Sequence, residues 1–173
     1  PLLSSTLIAN SIKNLKKQVK NIHITVGYKA EMLSSYVISK NVSSVINSKK
    51  KGNSWWIYNS LISNIDEPIL VLTCDNIVNI NFLPYFEEFN KLTNCECLLV
   101  PALPVKNING DYIFNNHQGL VKKIAKNKKN KYYASGIQIL NPKKLSLKKK
   151  YNDFSLLWKN LINENSLYVS KKI

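Results

Sequence analysis

Arginine is absent from the 173 residues, and only ten carboxylates stand against 25 lysines, for a formal charge of +15. Without a guanidinium the chain lacks the side chain best suited to bidentate contacts with phosphate or guanine, which speaks against sequence-reading DNA recognition despite the basic balance. The 24 asparagines share with the lysines a bias toward AAA- and AAT-type codons, as expected of an AT-rich genome, so base composition accounts for part of the charge. Nucleic acid is therefore disfavoured as a partner, although a basic stripe is the usual footprint of phosphate-backbone binding. Three cysteines, Cys74, Cys95 and Cys97, are too few for a disulfide framework or a four-ligand zinc site, and are expected to be reduced and buried. No apolar run approaches the roughly 20 residues that a bilayer span needs, so no membrane partner is expected. The opening PLLSSTLIANS has no basic segment followed by an apolar stretch and a small-residue cleavage site. It does not read as a signal peptide, and a cytoplasmic location is the default. His23 and His117 have no Ser, Cys or carboxylate partner at an interpretable spacing, so a hydrolase triad is unsupported.

With 45% hydrophobic residues the chain is expected to fold as a single domain and to bury roughly two-thirds of its unfolded surface. Leu7, Ile8, Ile12, Leu15 and Val19 recur at helical spacing. IHITV (22–26) reads as a buried strand containing His23, KAEMLSSYVI (29–38) as a helix, and 42–46 as a short strand. The polar SKKKGNS (48–54) ends in Ser54, an N-cap candidate for a helix running to about Ile65. EPILVLTCD (67–75) is the strongest strand, followed by a helix over 82–91 and a second buried strand, CECLLVP (95–101), with Cys95 and Cys97 on one face. Helix and strand thus alternate through residue 101, the pattern of an α/β sheet with helices on its faces. From Gly110 the pattern changes to GDYIF, LVKKI and YYASGIQIL, strands joined without full crossover helices. A helix from about Asp153, a candidate N-cap, to Asn163 and a strand at 167–170 close the reading. KNKKNK (126–131) reads as a solvated loop.

Three places can carry chemistry. Asp75 ends the strongest strand, where ligands of open α/β sheets bind and where a carboxylate can hold Mg²⁺. Alternation puts Val71, Thr73 and Asp75 on one face. The competing reading is a cap of the following turn, together with Asn76. Gly52-Asn53-Ser54 could bring backbone N–H groups to an anion at a helix N-terminus, although one Gly in a polar loop is more commonly an ordinary turn and cap. The adjoining Trp55 and Trp56 suit a base stack or, more commonly, a core. Lys126, at a strand end in the basic loop, could neutralise a phosphate or simply be solvated.

In order and spacing these pieces resemble the nucleotidyltransferases that make nucleotide sugars, such as glucose-1-phosphate thymidylyltransferase and related uridylyl- and cytidylyltransferases. LIANSIKNLKKQVKNIHITVGYKAEML is similar to the family's helix, strand and Val-Gly-Tyr turn. KGNSWWIYNSL is similar to its nucleotide loop and helix, and EPILVLTCDNIVNINF to the strand ending in a metal-binding Asp. GDYIFNNHQGLVKKIAKNKKNKYYASGIQILNP is similar to its sugar-binding half, with a Ser-Gly turn. The resemblance implies a Rossmann-like three-layer α/β/α sandwich with a mixed, mainly parallel sheet. It implies a nucleotide-binding half over about 1–101 and a sugar-binding half over about 102–173.

The same resemblance assigns roles. Asp75 would hold Mg²⁺ as the catalytic metal ligand, and Lys126 would contact the sugar phosphate. Gly52 and Asn53 would lie near the nucleotide, and Gly110, Ser135 and Gly136 would occupy substrate-binding positions. Partners would be a nucleoside triphosphate and a sugar phosphate; a homo-oligomer stays open. The family's Gly-rich loop would precede Pro1, with Pro1-Leu2-Leu3 as its tail, and a second metal-binding Asp would follow Ile173. On that alignment residues 1–173 lack both ends, are expected to be inactive alone, and leave strands 22–26 and 69–73 without the central strand between them. Ala125-Lys126-Asn127 replaces the family's Glu-Lys-Pro, which removes a carboxylate that orients a sugar hydroxyl and points toward a non-hexose acceptor. A non-catalytic binding or regulatory domain and a basic nucleic-acid-binding protein remain as alternatives.

Overall fold

The computed structural model describes residues 5–75, 79–106, 110–126 and 128–173. The chain opens with helix α1 (Leu7–Leu15), where the Thr6 side chain accepts from the Ala9 N–H. It continues through strand β1 (His23–Val26), helix α2 (Ala30–Ile38) and strand β2 (Ser44–Asn47). Parallel pairing of β1 with β2 makes a small two-stranded sheet. Ile12 of α1, Ile22 and Val37 of α2 close a core beneath it.

The larger sheet is built from β3 (Ile69–Val71), β4 (Cys97–Ala102), β5 (Tyr112–Asn115), β6 (Val121–Ala125), β7 (Tyr133–Leu140) and β8 (Leu167–Val169). Its order is β6-β5-β7-β4-β8, with β3 also on β7. β3, β4 and β5 each run antiparallel to β7, while β8 runs parallel to β4. Four of the six strands therefore point one way, yet most ladders are antiparallel because the reversed β7 sits in the middle. The sheet is mixed, as expected, but its pairing is mainly antiparallel rather than mainly parallel.

Alternation along β4 explains the three layers. Cys97 and Leu99 face a core with Leu157 and Leu161 of helix α6 (Phe154–Asn163), while Leu98 and Val100 face Tyr85 and Phe89 of helix α4 (Leu83–Lys91). Burying Leu157 and Leu161, 2% and 0% exposed, stabilises the α6 layer by about 1.5–3 kcal/mol each. Leu15 of α1 touches both the α4 layer and the small-sheet core, and so joins the two sheets. Among the described residues no helix is long and apolar enough to cross a membrane.

Several local expectations change for identifiable reasons. The helix expected from Ser54 to Ile65 is a single turn, α3 (Trp56–Asn59), then a 3₁₀ turn (Leu61–Asn64). Ser60 breaks it: its backbone is extended, and its hydroxyl donates to the Trp56 carbonyl while accepting from the Ile62 N–H. Ser54 does not cap; it is fully buried and its hydroxyl donates to the Tyr151 carbonyl. Asp153 is the N-cap residue of α6 but makes no side-chain cap bond. A short helix α5 (Pro142–Ser146), capped by Asn141, was not anticipated. His23 is exposed rather than in a core, and its imidazole bonds the Ser44 hydroxyl at 2.8 Å. Cys95 and Cys97 are buried on opposite sides of the sheet rather than on one face, because β4 begins only at Cys97. Cys74 is exposed.

A small ion network fastens the end of α6. The Lys148 ammonium lies 2.6 Å from Glu96 Oε1 and 2.8 Å from Glu164 Oε2. Partial burial pulls Lys148 down, but its two carboxylate partners outweigh this and raise it. The Lys148 bond in turn holds Glu164 below the usual carboxylate value of 4.5. A depressed carboxylate stabilises above its unfolded value and loses that contribution as pH falls through its folded one. Acid titration of stability is therefore expected to steepen below about pH 4.5, with neutral pH flat, by about 0.5–1 kcal/mol for so exposed a pair. Lys148→Met should flatten that limb in denaturant melts between about pH 5 and 3; an unchanged limb would remove the network from acid stability.

Candidate functional site

β7 sets the geometry. Along one edge β4 pairs with it throughout, while the other edge is shared end to end: Val71 of β3 opposes Gln138, and Tyr112 of β5 opposes Tyr133. The Ala134 N–H also donates to the Asp111 carbonyl, so Asp111 is the first β5-side residue along this edge. Between the departure of β3 and the arrival of β5 lie only Ser135, Gly136 and Ile137. These three residues oppose the single Val100 of β4, a bulge made possible by Gly136 at φ +84°. A crevice where strands diverge at the carboxyl end of a sheet is where open α/β folds bind ligands.

Asp75 is exposed just past the end of β3, next to exposed Cys74. The β3 ladder ends at Val71, earlier than the sequence implied, so Thr73 and Asp75 follow it on irregular backbone instead of as alternate strand residues. Asn76, the expected partner in a turn cap, lies outside the described residues, as do Pro1 to Leu3 and Asn127. Ser135 and Gly136 form the bulge itself and sit within β7, not in a turn; the Ser135 hydroxyl donates to the Val100 carbonyl at 2.7 Å. Gly110 enters β5 flush against the Tyr133 ring, where a Cβ would lie 3.0 Å from two ring carbons.

Lys126 follows the last residue of β6, and the β5–β6 register carries it opposite Asp111, one step beyond the Tyr112–Ala125 pair. Both line a half-open cavity of about 500 Å³ closed on its far side by Ser155, Trp158 and Lys159 of α6. Asp111 was not singled out from the sequence. Its signal is a carboxylate opening a strand whose hairpin partner ends in a lysine, and that is legible only once the register is known. Trp158 was also missed. Its indole N–H donates at 2.8 Å to Oε1 of Gln138, a buried polar side chain in mid-sheet that also accepts from the Cys97 thiol at 3.2 Å.

Gly52 and Asn53 occupy a different position. Asn53 Oδ1 accepts from the Phe154 N–H at 2.9 Å, and the Ser54 N–H donates to the Asn152 carbonyl at 3.0 Å. Here the loop caps α6 across a separation of about a hundred residues. Neither Gly52 nor Asn53 lines the cavity, and the Asn53 side chain serves α6. Trp56 is core, in edge contact with Phe154 at 6.4 Å, and Trp55 is half-buried with the Lys51 ammonium 5.4 Å from its ring.

Among the described residues no group of three or more His, Cys, Asp or Glu comes together to hold a metal. Asp75 remains as a single exposed hard oxygen donor, which fits Mg²⁺: that ion commonly takes one or two carboxylates, with substrate phosphates and water completing its shell.

No protein-family model and no curated protein sequence matches the chain. Solved structures do share its architecture. A Bacillus anthracis structure assigned as a glucose-1-phosphate thymidylyltransferase, in complex with a sucrose, has TM-score 0.74 at 16% identity, over 95% of this chain and 73% of its own. HddC from Yersinia pseudotuberculosis complexed with GMP-PN has TM-score 0.72 at 18% identity, over 95% of this chain and 76% of its own. LicC, the CTP:phosphocholine cytidylyltransferase of Streptococcus pneumoniae, has TM-score 0.70 at 20% identity, over 98% of this chain and 77% of its own. The chain thus has the mixed α/β fold of these nucleotidyltransferase structures, over about three-quarters of their length.

Proposed function

We propose that the chain is the fold of a nucleotidyltransferase, which moves a nucleoside monophosphate from a nucleoside triphosphate to a sugar 1-phosphate or related phosphorylated alcohol. The observation that supports this reading is the fold shared with nucleotidyltransferase structures at TM-scores of 0.70–0.74, together with the cavity that Asp111 and Lys126 line at the end of the β5–β6 hairpin. An acceptor phosphate oxygen would attack the α-phosphorus in line, its new P–O bond forming as the bond to the β-phosphate oxygen breaks, and pyrophosphate would leave. Such transfer asks a protein mainly for positioning and charge neutralisation.

Asp75 would hold Mg²⁺, which when bound neutralises charge on the triphosphate. Lys126 would place its ammonium against the acceptor phosphate, and Asp111 would accept from an acceptor hydroxyl. Gly136, lacking a side chain at the bulge, would let a ligand lie against the β7 backbone. Residues up to about 101 would serve the nucleotide, and about 102–173 the acceptor. The activities assigned to the similar structures span a sugar phosphate and phosphocholine, so the fold leaves the acceptor open.

Cys74 offers a test independent of turnover. It is the exposed thiol, whereas burial pushes Cys95 up to about 12 and Cys97 well above the ordinary thiol range. A thiol reagent at pH 8 should modify one cysteine in the native protein and three in denaturant. Nucleoside triphosphate with Mg²⁺ should slow the native reaction at least threefold, and either component alone should not. Equal rates with and without the pair would count against nucleotide at Asp75.

A further inference from the structure

The cavity behind Lys126 is longer than a phosphate site needs. Its α6 wall uses Ser155, Trp158, Lys159, Ile162 and Asn163, the spacing of one continuous helix face. Its other wall is β6 from Lys122 to Ala125, continued by Lys126. The Lys122 ammonium donates at 3.1 Å to Asn165 Oδ1, just past the C-terminal end of α6. Lys126 therefore lies toward Ser155 and the N-terminal end, and the groove has a direction.

Charge and shape along it are uneven. Four of its eleven lining residues are lysine, against 25 basic residues in 173 for the chain, and Asp111 is the single carboxylate among them. Lys126 and Lys159 form no ion pair among the described residues. Between them Trp158 presents an apolar wall fixed by its bond to buried Gln138 and by stacking on Phe154 at 6.2 Å. Lys159 stands one helical turn beyond Ser155, a rise of about 6 Å.

Resting on the transferase reading, we propose that this groove selects a phosphorylated acceptor carrying a second acidic group, its phosphate at Lys126 and Ser155 and its second acid at Lys159. A ring lies between, with its apolar face on Trp158 and a hydroxyl donating to Asp111. A neutral sugar phosphate leaves the Lys159 ammonium without a counter-charge. A zwitterionic acceptor brings a cation to it, which costs affinity.

Glucuronic acid 1-phosphate and glucose 1-phosphate share ring and phosphate and differ by one carboxylate. Isothermal titration of each into the full-length gene product at low salt should give about tenfold tighter binding of the acid. In Lys159→Gln, an exposed helix position, the two should bind within twofold of each other. Equal affinities in the wild type, or a preference that survives Lys159→Gln, would overturn the second acidic group while leaving a transferase intact. Binding of neither compound, with the protein folded, would overturn the acceptor subsite as well.

Discussion

Gly52→Ala is expected to lower stability by about 2–4 kcal/mol, far more than an exposed-loop substitution normally costs. The new Cβ would fall well inside contact distance of the Asn152 carbonyl oxygen and 2.7 Å from its carbon, with Asp153 Oδ1 at 2.9 Å. Two of these three obstacles are backbone, so no rotamer change relieves them. The loop cannot slide away either, because three bonds hold it there: Ser54 N–H to Asn152, Ser54 hydroxyl to Tyr151, and Phe154 N–H to Asn53. Relief must break one or more, leaving the buried Ser54 unsatisfied or the α6 N-terminus uncapped. Thermal melting should drop by about 6–12 °C for a 3 kcal/mol loss in a domain of this size. Ser54→Ala, which removes only one side-chain bond, should cost about 1 kcal/mol. A Gly52→Ala protein within about 0.5 kcal/mol of wild type would show that the loop and α6 do not meet as described.

Asp75→Ala is the second large effect, and it belongs to function rather than stability. Asp75 is exposed and lies just outside β3, so its truncation should move stability by no more than about 0.5 kcal/mol. The proposed chemistry depends on it as the carboxylate that would hold Mg²⁺. Losing electrostatic stabilisation of a transferring phosphoryl group typically costs about a hundredfold to a thousandfold or more in kcat. If the proposed transfer holds, the full-length Asp75→Ala protein should therefore show a kcat at least a hundredfold lower with unchanged melting, and Mg²⁺-nucleotide should no longer protect Cys74. Unchanged turnover would remove Asp75 from the site, whereas a large loss of melting temperature would make it structural.

Sequence patterns carried the elements with a strong local signal. The continuous apolar run of β4 was legible because the strand is buried on both faces, and the helices because each buries an apolar face. The broken helix after Ser54 was not, since Ser60 competes for the backbone in a way propensity does not reveal. Nor was α5, whose five residues have no period to detect, although Asn141-Pro142 is a valid cap and first-turn pair.

The site was half legible. A carboxylate ending a buried run marked Asp75, and position alone suggested Lys126. The bulge at Gly136 requires knowledge that β7 lies between β3 and β4, which no local window contains. Asp111 opposite Lys126 depends on hairpin register, and Gln138 holding Trp158 depends on α6 covering that face. The loop at Gly52 illustrates the converse: a glycine beside polar residues suggested an anion site, while its closest contacts are to the start of α6.

The most direct test of nucleotidyl transfer is pyrophosphate release by the full-length gene product with Mg²⁺, across a panel of nucleoside triphosphates paired with phosphorylated sugars and alcohols. Release that requires both a triphosphate and an acceptor, for at least one pair, is the predicted result. A folded protein that releases no pyrophosphate from any pair would contradict it and leave the crevice on β7 as a binding site without transfer chemistry.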